Sequence, residues 1–203
     1  MPKSGRVRRS AADTREHVLA VAAELFYSDG IRATGVDTVA ARAGVAPPTL
    51  YRLFATKDDL VAAYVQRCSA AYIDRLTRLT APEAGTVRDR LRAVFALFTE
   101  DARSTPCRGC PFQLVLAEFP DPASAPHVRA VAHKHWVQGL LSRLAAELAD
   151  QNPLSNAELL AWQLAIVADG IYSAAQVAGV DGPAKFGVEC AESLIDAAIA
   201  RRP

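Results

Sequence analysis

The sequence lacks the features that mark membrane proteins, secreted disulfide-rich proteins and β-sheet proteins. No apolar run approaches the roughly 18 residues that a membrane-spanning helix needs. The first residues lead into no apolar segment, so we expect a cytoplasmic protein without a signal peptide. Four cysteines in 203 residues form no dense disulfide framework. Aromatic residues account for only 7% of the chain, strand signals are almost absent and alanine is frequent, which together favour packed helices.

Motifs of common enzymes and metal sites are also missing. The chain contains no Gly-x-Ser-x-Gly, no glycine-rich phosphate loop and no His-Glu-x-x-His, so we expect neither an enzyme nor a cofactor. Cys107 and Cys110 would need His133 and His135 to complete a metal site. Zinc sites normally place about three to five residues between their histidines, and residues two apart on a helix point in different directions. We expect no metal, and keep a thiol-responsive regulator using Cys107 and Cys110 as an alternative.

The sequence does contain a repeated helix-start signal, the capping box Ser/Thr-x-x-Asp/Glu. In this pattern the hydroxyl and the carboxylate satisfy free backbone N–H groups at the start of a helix. It occurs before five helical runs: Ser10 with Asp13, Thr34 with Asp37, Thr56 with Asp59, Thr86 with Asp89, and Ser155 with Glu158. Together with apolar residues at helical spacing, the pattern predicts an all-α protein of about nine helices without internal repeats.

The predicted helices fall into two groups. The early ones cover residues 10–28, 34–43 and 47–54, and a long fourth helix begins at residue 56. The later ones begin at residue 87, cover 112–119, continue from a loop bracketed by Pro126 to about residue 149, and then cover 155–178 and 183–201. We therefore expect a basic arm and a three-helix DNA-binding domain in residues 1–57. A helical ligand-sensing and dimerisation bundle would occupy residues 58–203.

Charge is distributed unevenly between these two parts. Residues 1–57 hold nine Lys or Arg and five Asp or Glu, a net charge of +4, whereas residues 58–203 carry a net charge of −3. A basic N-terminal third on a mildly acidic body is typical of a protein that meets a polyanion at one end. The arm residues Arg6, Arg8 and Arg9 either contact phosphate or the minor groove, or only add solubility.

Two short helices joined at Gly44 have the form of a helix-turn-helix. Glycine permits the positive φ that the turn needs, and Val39, Val45 and Leu50 are placed to lock the two helices together. The second of these helices, residues 47–54, would be the recognition helix that lies in the major groove of DNA.

The residues around this turn resemble the TetR family of bacterial repressors. The resemblance is carried by the pattern Phe26-x-x-x-Gly30-Ile31-x-x-Thr34-x-Val36-x-x-Val39-Ala40-x-x-Ala43-Gly44-Val45-x-x-x-Thr49-Leu50-Tyr51-x-x-Phe54-x-x-Lys57-x-x-Leu60. It implies an all-α fold and a homodimer that binds a double-stranded palindromic operator and is released by a ligand. The best alternative function is a helical small-molecule-binding module that does not touch DNA.

The residues that we expect to contact DNA are Thr34, Pro47, Pro48, Thr49, Tyr51, Arg52 and Lys57. Tyr51 resembles the family's phosphate-contacting tyrosine, and Arg52 could reach a guanine edge or a phosphate rather than act as a solvated charge. Lys57 lies in the first turn of the fourth helix, where the helix dipole disfavours a cation unless a phosphate docks there.

Each of the remaining residues in this set has two candidate roles, one in the protein's own structure and one in DNA contact. Thr34 is predicted to cap a helix, and the resemblance implies that its neighbouring N–H groups face phosphate. Thr49 either supports the start of its helix or contacts a phosphate or a thymine methyl. Pro47 and Pro48 remove N–H donors that would need capping, and present apolar surface that suits thymine methyl groups.

The last two predicted helices carry more apolar surface than a peripheral pair needs, and the resemblance implies that they pair with a second copy of the chain. Between them and the DNA-binding part we expect a pocket for an unknown hydrophobic or aromatic effector. Its candidate walls, each of which could equally be core, are Phe95, Phe98, Phe112, Leu116, Trp136, Trp162 and Tyr172.

Overall fold

A computed structural model describes residues 10–103, 107–152, 154, 156–179 and 181–200. Within these ranges the chain forms nine α-helices, two short 3₁₀ segments (Pro82–Ala84 and Pro183–Phe186) and no strand, which confirms the all-α prediction. The helices are α1 Ala11–Asp29, α2 Val36–Ala43, α3 Pro47–Leu53, α4 Lys57–Leu79, α5 Val87–Ala102, α6 Pro111–Glu118, α7 Ala125–Gln151, α8 Ala157–Ala178 and α9 Gly187–Ala200. No helix in these ranges is both long enough and apolar enough to cross a membrane.

Three of the predicted capping boxes form. The Ser10 hydroxyl accepts a hydrogen bond from the Asp13 backbone N–H at 3.0 Å, and the Asp13 carboxylate accepts one from the Ser10 N–H at 3.3 Å. The same reciprocal pair starts α4 at Thr56 and α5 at Thr86. Local hydrogen bonding therefore decides where these three helices begin.

The predicted box at Thr34 is wrong. The Thr34 hydroxyl donates to the Gly30 carbonyl at 2.8 Å instead, the side chain is buried, and α2 begins two residues later with Gly35 at its N-cap. The reason is the turn at Gly30, whose positive φ of 98° brings its carbonyl to both the hydroxyl and the N–H of Thr34. The predicted box at Ser155 lies outside the described residues, and Asn156 caps α8 by accepting from the Leu159 N–H at 2.9 Å.

The remaining boundaries differ by a few residues. Pro126 lies in the first turn of α7, not in the preceding loop, because proline needs no hydrogen-bond acceptor there. Helix α9 begins at Gly187, since Pro183 to Phe186 form a 3₁₀ turn first. The short α2–α3 turn forms as predicted: Gly44 has a φ of 64°, and the Val45 N–H donates to the Ala40 carbonyl at 3.0 Å.

Helix α4 connects the two halves of the molecule. Its first half packs on α1, where the Phe26 and Tyr64 rings meet edge to face with centroids 5.4 Å apart. Its second half packs on α7, where the Ser69 hydroxyl lies 3.0 Å from Nδ1 of His133. Helices α5, α7, α8 and α9 then form the larger bundle around buried aliphatic side chains.

Candidate functional site

Helix α3 presents a polar and aromatic surface on one side and is anchored to the core on the other. Leu50 is buried, whereas Pro47, Pro48, Tyr51 and Arg52 are exposed, with Tyr51 at 49% exposure. No side chain caps the start of α3, and the two prolines supply its first positions without N–H groups that would need a cap. The helix therefore displays its first turns outward, as a recognition helix does.

The other predicted DNA-contacting residues differ in how far their side chains are exposed. Thr49 is half-buried at the edge of the exposed face. Thr34 is 3% exposed and its hydroxyl is bound to the Gly30 carbonyl, so its side chain does not face outward. Only the backbone next to it, at exposed Gly35, lies at the surface.

Lys57 has a partner within the protein that the sequence did not reveal. Its ammonium group donates to the Arg32 carbonyl oxygen at 3.1 Å and so joins the start of α4 to the α1–α2 turn. Asp58 and Asp59 in the same turn already complement the helix dipole. The unfavourable position of this cation is therefore compensated in part without DNA.

The α1–α2 turn is also held from the other half of the molecule. The Glu118 carboxylate, at the end of α6, accepts from the Ile31 N–H at 3.1 Å and from the Arg32 N–H at 2.6 Å. On the neighbouring segment, the Arg108 N–H donates to the Tyr27 hydroxyl at 3.0 Å, and that hydroxyl donates to the Gly109 carbonyl at 3.1 Å. Helix α6 and the segment before it therefore contact the last turn of α1 and the α1–α2 turn.

A cavity of about 270 Å³, open at its mouth, lies where α1, α4, α5, α6 and α8 meet. We call it the tyrosine cavity. Its lining side chains include Tyr27, Tyr64, Cys68, Tyr72, Asp101 and Tyr172. A second, more enclosed and much smaller space of about 20 Å³, the inner cavity, adjoins it and shares Tyr72 and Tyr172. The lining of the inner cavity includes Phe98, Phe112, His133, Lys134 and Asp169.

Three of the predicted pocket residues, Phe98, Phe112 and Tyr172, lie on the inner cavity. Phe95 does not: it is fully buried against Phe98, with ring centroids 6.1 Å apart, and belongs to the core. The half-buried Leu116 packs on the core from α6 without lining either cavity.

Neither predicted tryptophan lies on the two cavities. Trp136 lines a separate open cleft between α4 and α7. Trp162 is 54% exposed on the outer side of α8, so its assignment as a pocket wall is wrong. Helical periodicity identified an apolar side of each helix, but could not indicate whether that side faces the interior or the outer surface.

The residues that sequence reasoning missed are mostly polar: Tyr27, Tyr64, Tyr72, Asp101, His133, Lys134 and Asp169. Tyr64 and Tyr72 lie at apolar positions of α4, so their spacing does not distinguish them from core residues. The His133 ring stacks on Phe112 with centroids 3.5 Å apart. Lys134 forms an ion pair with Asp169 on the neighbouring helix α8. The polar residues scattered along five helices become a site only when those helices pack.

Burial keeps the tyrosine phenols and the His133 imidazole of the cavities uncharged. It raises the pKa of Tyr27 to about 12, and raises the pKa of Tyr64, Tyr72 and Tyr172 further. Burial, helped by the nearby Lys134 charge, lowers the pKa of His133 to about 4. At neutral pH the phenols are therefore protonated and the imidazole is neutral.

The cysteines do not form a metal site in the part of the chain that the structure describes, where no three His, Cys, Asp or Glu side chains converge. His133 is buried and His135 is exposed, as expected for residues two apart on a helix. Burial raises the pKa of the Cys110 thiol, which disfavours the reactive thiolate. Cys107 is half-buried with its sulfur 4.0 Å from the Tyr27 hydroxyl, and a thiol response through it stays a prediction.

A three-helix unit with an exposed third helix, joined to a larger helical bundle, defines a helix-turn-helix regulator. Comparison with known proteins supports this class: a family model describing bacterial regulatory proteins of the tetR family matches residues 18–64. A solved TetR-type regulator from Streptomyces avermitilis is 31% identical, with 91% of this chain and 97% of that chain covered and a TM-score of 0.75. The chain belongs to the TetR family, whose members regulate transcription and are not enzymes.

Two further transcriptional regulators are similar to this chain. SCO4454, a TetR-family regulator from Streptomyces coelicolor, superposes with a TM-score of 0.84 at 27% identity over 92% of this chain and 96% of that chain. The transcriptional repressor NemR of Escherichia coli K12 is 35% identical over 83 residues, which are 41% of this chain and 42% of that protein. The alignment thus spans about two fifths of that curated relative. The chain is a DNA-binding transcriptional regulator, in a family that binds operators and typically acts as dimers.

Proposed function

We propose that this regulator is a repressor that binds a palindromic operator as a homodimer and leaves it when a small molecule occupies the bundle. The exposed face of α3, carrying Tyr51 and Arg52 beside two prolines, is the observation that carries the DNA-binding part. In this proposal Tyr51 and Arg52 contact phosphate or a guanine edge, and Pro47 and Pro48 meet thymine methyls. Thr49 and Lys57 approach the phosphates beside α3, and Thr34 contributes only through the backbone next to it.

The proposed dimer uses α8 and α9. Three large apolar side chains on α8 are exposed at spacings of three and four residues: Leu159 at 48%, Trp162 at 54% and Ile166 at 70%. Val177, farther along the same helix, is 86% exposed, and Phe186 before α9 is 51% exposed. Large exposed apolar side chains of this kind on a helical bundle favour burial against a second copy. The two recognition helices would then lie about one DNA turn apart.

Release by an effector would act through the contacts between the cavities and α1. The tyrosine cavity is lined by Tyr27 of α1, and α6 binds the α1–α2 turn through Glu118. A ligand that prefers the conformation with recognition helices farther apart shifts the population off DNA in proportion to its differential affinity. We propose that the boundary between the DNA-binding part and the sensing part lies within α4, because that helix packs on both. The sequence predicts the boundary at residue 57, the first residue of this helix.

The test is a mobility shift with an operator obtained by selection from random duplexes. Wild-type protein is compared with a Tyr51→Ala, Arg52→Ala double variant, and with Arg143→Ala, which removes one exposed cation from α7. We expect the double variant to lose binding by on the order of a hundredfold while the control binds like wild type. Absence of any salt-sensitive binding by wild type, or equal losses in both variants, would contradict the proposal.

A further inference from the structure

The tyrosine cavity has an unusual composition. Four of the chain's five tyrosines line it, and they come from three different helices: Tyr27 from α1, Tyr64 and Tyr72 from α4, and Tyr172 from α8. The only tyrosine elsewhere is Tyr51 on the recognition helix. The packing of distant helices, not a local motif, brings these four aromatic rings around one space.

The phenol groups are largely occupied by contacts with the protein. The Tyr27 hydroxyl accepts from the Arg108 N–H and donates to the Gly109 carbonyl, and the Tyr72 and Tyr172 oxygens lie 3.4 Å apart. A ligand in this cavity therefore meets aromatic rings and uncharged hydroxyl groups. Aromatic rings carry partial negative charge on their faces, which attracts cations.

Asp101 is the one charged side chain among the described residues that line this cavity. Its side chain is 18% exposed, and both of its oxygens accept from Arg75 Nη1, at 3.2 and 3.5 Å. Arg75, at 42% side-chain exposure, is the more accessible member of the pair. Asp101 lines the cavity and Arg75 does not, so the charge nearest to a ligand in this space is negative.

We propose that the tyrosine cavity binds an organic cation, in which an ammonium or amidinium group is attached to an apolar body. The four rings and Asp101 attract the charge, and the cavity volume of about 270 Å³ suits a small organic molecule. An organic anion would face the Asp101 carboxylate with no cationic lining group to offset it. This inference rests on the proposed effector-released regulator, and narrows the effector from an aromatic or hydrophobic molecule to a cationic one.

The test uses three probes of nearly the same shape but different charge: benzamidinium, benzamide and benzoate. Isothermal titration calorimetry on the full chain at neutral pH measures the affinity for each. We expect benzamidinium to bind on the order of tenfold more tightly than benzamide, with benzoate weakest. Equal affinities, a preference for benzoate, or no heat from any probe at millimolar concentration each overturn the inference.

Three variants separate a charge effect from a folding effect. Asp101→Asn keeps the side-chain shape, and should remove the preference for benzamidinium over benzamide. Arg75→Gln should strengthen benzamidinium binding, because it removes the cation that partly neutralises Asp101; loss of structure would instead weaken all binding. Asp74→Asn, an exposed carboxylate paired with Arg78 on the same helix, is the control and should change nothing.

Operator binding is measured separately on the same preparations. If wild type binds the selected operator but shows no preference for benzamidinium, the cation inference fails and the regulator proposal stands. If operator binding itself is absent, the proposed function fails whatever the probes do.

Discussion

Arg32 donates two hydrogen bonds to Glu118, one from its backbone and one from its side chain. The Arg32 backbone N–H donates to the Glu118 carboxylate at 2.6 Å, and the Arg32 Nε–H donates to the Glu118 carbonyl oxygen at 2.7 Å. The Arg32 carbonyl in turn accepts from the Lys57 ammonium group at 3.1 Å. One residue of the α1–α2 turn thus connects the end of α6 to the start of α4, next to the recognition helix.

Replacing Glu118 by alanine should loosen this turn. The change leaves the Ile31 and Arg32 N–H groups without their carboxylate acceptor, and we expect a loss of about 1–2 kcal/mol in the free energy of unfolding. Hydrogen exchange should show faster exchange of these two amides, and urea unfolding measures the stability. Glu83→Gln, which alters an exposed carboxylate in a 3₁₀ turn, serves as the control. Unchanged exchange at residues 31 and 32 would refute the coupling.

The salt dependence of operator affinity can show which DNA groups Tyr51 and Arg52 contact. Tyr51→Phe removes only a hydroxyl, so operator affinity should fall by about 1 kcal/mol while its dependence on salt stays the same. Arg52→Gln should lower the salt slope by about 1 if the guanidinium contacts phosphate, and should relax sequence preference instead if it contacts a base. Fluorescence anisotropy titrations at several salt concentrations give both quantities. If both variants bind as wild type does, α3 is not the recognition helix.

His133 should make the fold sensitive to acid. Its pKa in the folded chain is lowered to about 4 from 6.5, with burial as the main cause, so the unfolded chain binds a proton first as pH falls. The contribution of His133 to the free energy of unfolding is therefore fully present above about pH 6.5, and it is lost as pH falls towards 4. Between pH 7.5 and 5.0 we expect a loss of about 2 kcal/mol.

Urea unfolding at both pH values, with wild type and His133→Gln, measures this contribution. The glutamine variant should show a flatter pH dependence because position 133 no longer titrates. An equally steep dependence in the variant would assign the acid sensitivity to other groups.

The exposed surface of α8 gives a direct test of the dimer. Ile166→Asp places a charge on a side chain that is 70% exposed in the single chain, so the fold should survive while association is lost. Sedimentation velocity should report a monomer, and affinity for a palindromic operator should fall by at least about tenfold. Val128→Asp, at an equally apolar position of α7 with 53% exposure, should leave the dimer intact. A dimeric Ile166→Asp protein would exclude this face as the interface.

Local interactions made much of the fold predictable. Ser10, Thr56 and Thr86 act within three residues of themselves, and the turn at Gly44 needs only a positive φ, so sequence patterns located these features correctly. Thr34 shows the limit of that reasoning, because the carbonyl of Gly30 competes for the hydroxyl that a capping box would use.

The cavity was less predictable than the fold because its residues lie far apart in sequence. Tyr27 and Tyr172 come to one space only through the packing of α1 and α8 onto α4. The exposed Trp162 was assigned to the wrong environment for the same reason: an apolar residue on a helix can face a pocket, the core or a partner. Five of the seven proposed DNA-contacting residues lie on the short helix α3 next to the turn, so spacing alone could predict that they lie together.

Helix α4 runs without interruption from Lys57 to Leu79, 23 residues. At about 1.5 Å of rise per residue it is a rod of roughly 34 Å. A tilt of about 5° that pivots near Tyr72, which lines both cavities, would displace the near end, about 22 Å away, by roughly 2 Å if the rod moves as a rigid body. In a symmetric pair the two displacements would add across the DNA, which is enough to move a recognition helix out of register with the groove. A small change in side-chain packing can thereby be converted into a change of distance that DNA detects.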